Sequence, residues 1–272
     1  MNLATYLGKQ VLGILAGYQQ NNVVIHVCGV FIRADNSLKV YFPNGHALAV
    51  GDLVTLHLDN RSGVDEFDAE ISVYRASYKG RIISEEDDWV VIAPRECQLI
   101  HGMSVVLDIR EEGYEFPTDD RPELPVPFTT LKTMPAPESK DAVNKVGVLI
   151  TMANEQPHTT VLAFLSTVDD DIFLITFPAM FKSKLLKRNP HCFFAMDERA
   201  HYTFERAIEW NYTIVEGEAF LVPSGTELYE TIREEFIRKN PWEMGFFLQS
   251  DNEMYHTTRR QSVCTGSKGP QH

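Results

Sequence analysis

Cysteine is scarce in this chain and scattered where it occurs. Cys28, Cys97, Cys192 and Cys264 lie far apart with no C-x-x-C pair. That spacing excludes a disulfide-stapled mini-domain and a cysteine zinc site, and it reads as free thiols in a reducing cytoplasm. Long apolar runs are missing as well: none reaches the ~18 residues of a membrane span. The N-terminal "MNLATYLGKQVLGILAGYQQ" breaks its short apolar stretch with Gly and Gln and shows no cleavage site, so it makes a poor signal peptide. Positive charge is the third shortage. Against 38 carboxylates stand 25 Lys and Arg, for a formal charge of −13, and a field of that sign repels phosphate backbones and anionic bilayers. The expectation is a cytoplasmic protein with neither nucleic acid nor membrane as a partner. Missing motifs narrow the chemistry further. The nine histidines form no H-E-x-x-H, and His191 and Cys192, being adjacent, would face opposite sides of a strand, so no metal site is expected. There is no G-x-G-x-x-G or G-K-[ST] phosphate loop, and "LVPSGTE" lacks the G-x-S-x-G of a nucleophile elbow.

What remains is ample material for a core. With 272 residues, 44% of them hydrophobic, the chain can build two domains. Six prolines fall between Pro117 and Pro137, where they remove backbone donors and hold their neighbours extended; residues 115–141 are therefore expected to form a linker. Before it, residues 1–114 carry short β-rich runs such as "NVVIHVCGVFIRA", "DLVTLHLD" and "WVVIAP", punctuated by Asn44-Gly45 and Gly51-Asp52. This is the pattern of a small antiparallel barrel. "LATYLGKQVLGILAGYQ" is read as a helix covering that barrel, weakened by Gly8, Gly13 and Gly17. "RASYKGRI" gives the barrel three cations. Barrels of the PilZ type bind a cyclic dinucleotide through an R-x-x-x-R run and a D-x-S-x-x-G strand motif; this chain has Asp59, Arg61, Arg75 and Arg81 but neither motif intact, a likeness of architecture alone.

After the linker, residues 142–260 alternate strands with two short helices. "KVGVLITMA", "TTVLAFLSTV", "DIFLITF", "HCFFAMD" and "NYTIVEGEAFLV" read as strands. One helix runs from about Ala179 to Arg188 and stops at Asn189-Pro190; the second follows Ser224, with Glu227 completing a capping box, and stops at Asn240-Pro241. Residues 261–272, "QSVCTGSKGPQH", are expected to be a disordered tail. The fold class expected is thus mainly β: a small N-terminal barrel, then a second β-barrel with two short helices.

The first of those helices gathers Lys182, Lys184, Lys187 and Arg188 into seven positions of an otherwise acidic chain. One reading is a solvated face offset by nearby acids. The other is an anion site, since a helix start offers free N–H groups and partial positive charge beside Lys and Ser. The order of Thr151, Gln156-Pro157-His158, Thr176, Lys182, Asn189-Pro190 and Val215-Glu216-Gly217 resembles the FMN-binding split barrel of the pyridoxamine 5'-phosphate oxidase superfamily, over about residues 144–260. The resemblance implies that the flavin phosphate is held by Lys182 and Thr176. Where the oxidases place an arginine and a lysine on the strand after the Gln-Pro turn, this chain has Thr160 and Leu165; where they place serine and arginine before the helix lysine, it has Met180 and Phe181. Ser183 and Lys184 are the substitutes available. Trp210 and Tyr212 are candidates to line a flavin slot at a homodimer interface. The implied activity is flavin-dependent oxidation or reduction of a small molecule, with haem or another flavin as alternative cofactors. The rival is a non-enzymatic sensor or ligand-binding module whose barrel has lost the cofactor.

Overall fold

The computed structural model describes residues 2–20, 22–60, 73–102, 104–197, 212–249 and 251–264. The chain is mainly β and divides into two units. Among the described residues, the first comprises those up to Asp119 together with Ala153–Thr160, and the second comprises Asp120–Met152 and residues 161–264.

The first unit opens with one helical turn, α1 (Ala4–Leu7), followed by β1 (Gln10–Gln19), β2 (Asn22–Ile32), β3 (Leu38–Tyr41), β4 (Leu53–Asp59), β5 (Arg75–Glu86), β6 (Trp89–His101) and β7 (Ser104–Arg110). They pair antiparallel in the order β3-β2-β1-β4-β5-β6-β7, and a β3–β6 pairing closes six of them into a ring, leaving β7 as an appended strand. The expected N-terminal helix is therefore corrected: most of it is β1, in the barrel wall. The glycines that weaken a helix there serve close approach instead. A Cβ on Gly13 would lie 2.7 Å from Leu58 and 3.2 Å from the His57 carbonyl, so the wall closes only where that side chain is absent. Leu15, Leu38, Leu56, Tyr78 and Ile92 fill the interior, and closure leaves no open edge among the six ring strands.

The segment Ala153–Thr160, which carries the Gln-Pro motif, is built into this first unit. Gln156 is fully buried. Its Nε2 donates to the Val54 carbonyl at 2.8 Å and to the Thr55 hydroxyl at 3.2 Å, while its Oε1 accepts from the Tyr114 hydroxyl at 3.4 Å. Tyr18 donates to the Ala153 carbonyl at 2.6 Å. A primary amide satisfied on both ends is how a polar side chain tolerates full burial.

The second unit is a closed barrel in the order β10-β13-β12-β11-β8-β9. Its strands are β8 (Val146–Thr151), β9 (His158–Ser166), β10 (Ile172–Thr176), β11 (His191–Asp197), β12 (Tyr212–Leu221) and β13 (Glu253–Cys264); β9 begins in the first unit and ends in the second. Between them lie α2 (Phe181–Arg188), α3 (Glu227–Lys239) and the turn α4 (Met244–Phe247). All five residues of β10 are buried, because its two faces serve two cores. Ile172 and Leu174 pack with Phe164 and Phe194 in one, and Phe173 and Ile175 pack with Ile232 and Phe236 of α3 in the other. That is why "IFLIT" is apolar without alternation. At Gly217 β12 bulges against β13, and a Cβ there would sit 2.2 Å from the Thr258 carbonyl.

Local details depart from the expectations. The first helix starts at Phe181 rather than Ala179, and α3 is capped by Thr226, whose hydroxyl accepts from the Tyr229 N–H at 3.2 Å, not by Ser224. Both hydroxyl residues suit a cap; the chain enters the helix two residues later. β13 runs to Cys264 through the start of the stretch expected as a tail; the residues beyond lie outside those described. From Asp120 the proline-rich segment is a strap on the second barrel. Val126 is buried in its core, Leu124 N–H donates to the Lys187 carbonyl, Thr129 N–H donates to Leu221, and Glu138 N–H donates to Ser166. Prolines cannot supply a ladder, so the strap bonds at single points.

Replacing Gln156 with Leu removes the amide and strands the Val54 carbonyl without its donor; the expected loss is about 1–3 kcal/mol, seen as a lower midpoint in urea with the slope unchanged.

Candidate functional site

The α2 region is assembled from local sequence and from one distant strand. Phe177 and Pro178 turn the chain out of β10, and Met180 enters α2 in extended backbone without a side-chain cap. Leu185 and Leu186 are buried against the barrel, and so is Ser183. Burial of a serine on the helix's inward face demands a partner. Glu253, at the start of β13, supplies it: Ser183 donates to Oε2, which also accepts from the Tyr255 hydroxyl at 3.1 Å, while Oε1 pairs with Lys187 at 2.7 Å. Burial is the main reason the Tyr255 phenol is pushed above its ordinary range.

The four cations of α2 divide between internal pairing and availability. Lys187 is held by Glu253, and Arg188 reaches Glu123 of the strap at 3.3 Å. Burial strips water from Lys182 and lowers its pKa, an effect Glu243 partly offsets. Among the described residues the Lys184 ammonium has neither ion pair nor hydrogen-bond partner. Two residues apart on a helix lie about 200° apart around the axis, so Lys182 and Lys184 do not share a face. Thr176 ends β10 across from Glu253; it is buried, and its hydroxyl finds no partner among the described residues. Around this group the surface is apolar. Met180, Phe181, Trp242, Met244 and Leu248 are exposed, and Phe177 stacks on Phe246 at 5.4 Å.

Of the residues singled out in the sequence, Thr176, Lys182, Ser183 and Lys184 thus belong to one neighbourhood, with Ser183 turned inward to a carboxylate. Thr160, half-buried on β9, belongs to the first unit and is no part of the α2 group. Trp210 lies outside the described residues. Leu165, where the oxidases carry a lysine, is buried in the core beneath α3. Glu253, Tyr255 and Glu243 were missed by the sequence reading. The only signal for the first two was that Glu253 and Tyr255 share one face of a strand, two residues apart. No group of three or more potential ligands capable of holding a metal occurs among the described residues, and no helix there is long and apolar enough to cross a membrane.

Another half-buried ammonium of this unit lies at the end of α3. The Lys239 ammonium sits 3.7 Å over the Phe164 ring and has no hydrogen-bond acceptor among the described residues. Burial pushes its pKa down to about 7; nearby Asp141 opposes the drop and Lys145 adds to it.

No family model matches this chain, and no curated protein matches it in sequence. Solved structures do match. The heme storage protein HutZ of Vibrio cholerae is 16% identical, the match covering 44% of this chain and 85% of that one at a TM-score of 0.38. A proposed pyridoxamine 5'-phosphate oxidase of Listeria innocua is 17% identical over 45% of this chain and 90% of its own, at 0.34. A FAD-binding protein of Mesorhizobium loti is 15% identical over 44% and 83%, at 0.37.

Between the folded value for Lys239 of about 7 and its ordinary 10.5, the unfolded chain holds a proton that the folded chain has released. Stability therefore rises with pH through that window and is lowest below it. Lys239→Met is expected to raise the melting temperature at neutral pH and to flatten the rise toward alkaline pH, as thermal melts across that range would read.

Proposed function

We propose that the second barrel binds a flavin nucleotide, FMN, with its phosphate at Lys182 and Thr176, and that the protein is an oxidoreductase acting on a small molecule. The observation that carries this reading is a half-buried ammonium, its pKa lowered by burial, close in the chain to a buried hydroxyl with no partner among the described residues, at the end of β10 and the start of α2. These are the two positions at which the motif order resembles the flavin-binding split barrel. An anion that accepts from both would repay the desolvation of Lys182 and satisfy the Thr176 hydroxyl. A bound flavin would supply the redox chemistry; the protein's part is to hold the phosphate end and to present an apolar surface on which a ring can rest. Met180, Phe181, Trp242, Met244 and Leu248 provide such a surface, and their exposure also supports a second copy of the chain as partner. The buried, unpaired Cys28, Cys97 and Cys192, two of them with thiol pKa values pushed to about 12 by burial, fit a cytoplasmic location.

One observation favours the second reading, a ligand-binding module without flavin. Ser183, one of the four candidate donors, is already bound to the protein's own Glu253, as is the neighbouring Lys187.

A visible spectrum and an FMN titration separate the readings, and a haem would show its own absorption band. Lys182→Ala is expected to weaken FMN binding roughly 10- to 150-fold with circular dichroism unchanged, and native mass spectrometry is expected to find two subunits. A well-folded protein that takes up no FMN would leave the module reading in place.

A further inference from the structure

In the second unit, three side chains distant in sequence meet outside the α2 group. Thr129 comes from the strap, Asp171 from the turn entering β10, and His256 from β13. The Thr129 Oγ1 lies 2.7 Å from Nδ1 of His256, and Nε2 of His256 lies 2.7 Å from Oδ1 of Asp171. The imidazole is 1% exposed and stacks on Phe173 at 5.1 Å.

The direction of each hydrogen bond follows from what the groups can donate. The Asp171 carboxylate can only accept, so the proton of the imidazole sits on Nε2 and Nδ1 accepts from the Thr129 hydroxyl, whose oxygen also accepts from the Leu131 N–H at 3.2 Å. Nδ1 is then the unprotonated nitrogen, and Nε2–H donates to the Asp171 carboxylate. This is the order of hydroxyl, base and orienting carboxylate that activates an oxygen nucleophile. The N–H of Thr130, the exposed residue that follows the hydroxyl, has no hydrogen-bond partner among the described residues, as an oxyanion donor requires. Phe128, just before it, is 65% exposed, and Val168, in the turn that carries Asp171, is 55% exposed.

We propose that Thr129, His256 and Asp171 form a hydrolytic site that cleaves small carboxylic esters bearing an apolar group. Thr129 Oγ1 attacks the carbonyl carbon while its proton passes to His256 Nδ1. The tetrahedral oxyanion, held by the Thr130 N–H, collapses, and the C–O bond to the alcohol breaks; the departing alkoxide takes the proton from Nδ1. Water then gives a proton to Nδ1 and attacks the acyl-threonine. Its collapse frees the acid and returns the proton to Oγ1. Asp171 is a positioning residue that keeps Nδ1 free to accept, and the exposed Phe128 and Val168 offer the apolar group its surface. The site requires no cofactor and is independent of flavin binding.

The test uses the full-length protein with p-nitrophenyl butyrate at neutral pH, followed by acid quench and mass spectrometry. The expected result is hydrolysis with an acyl adduct on the peptide containing Thr129. Thr129→Val should lower the rate at least about 100-fold, Thr129→Ser should retain it, and Asp171→Asn should lower kcat while leaving KM in place. Near-ultraviolet circular dichroism checks that each variant is folded. Wild-type hydrolysis no faster than that of Thr129→Val, an adduct on another residue, or a folded but inactive Thr129→Ser would overturn the proposal and leave the three groups as a structural tie for the strap.

Discussion

Packing α2 onto the second barrel forces a serine hydroxyl and a carboxylate together where water is scarce, and the position of the whole α2 region follows from how that pair is satisfied. Glu253 divides its oxygens between Lys187 on one side and Ser183 with Tyr255 on the other. A carboxylate in such surroundings is tolerable only when its lone pairs are engaged, because removing it from water costs several kcal/mol otherwise. The arrangement locks the first two turns of α2 to the start of β13. β13 in turn pairs with β10, so the register that seats Glu253 also sets where Thr176 ends its strand and where Lys182 emerges.

Much of the architecture was legible because the physics behind it is local. Short apolar runs broken by turn residues marked the strands, and Asn-Pro marked both helix ends. What failed did so for non-local reasons. β1 looked like a glycine-weakened helix because the demand for a small residue at Gly13 comes from Leu58 and His57, on another strand. The proline-rich segment looked like a free linker because its attachment depends on Leu221, Ser166 and Lys187, which composition does not reveal. In the α2 region, Thr176 and Lys182 could be found from their neighbours in sequence. Glu253 and Tyr255 could not: they arrive through strand register, and a slip of one residue would have turned both to the opposite face. The Thr129, Asp171 and His256 grouping was invisible for the same reason.

The concentration of positive charge in an acidic chain also finds a physical account. Two of the four cations on α2 are spent on the protein's own carboxylates, Glu253 and Glu123, and a third lies near Glu243. The helix is therefore much less basic in its folded surroundings than in the sequence. Lys184 is the one cation of the four with no acidic partner among the described residues.

The first unit draws one of its pieces from the far side of the proline-rich segment: Ala153–Thr160, with Gln156 sealed among Val54, Thr55 and Tyr114. Evolution cannot shuffle this barrel as a contiguous gene fragment. A recombination breakpoint among the prolines would deliver a module missing the amide that bonds Val54 and Thr55. The two barrels are thus bound to be inherited together, by the path of the chain itself.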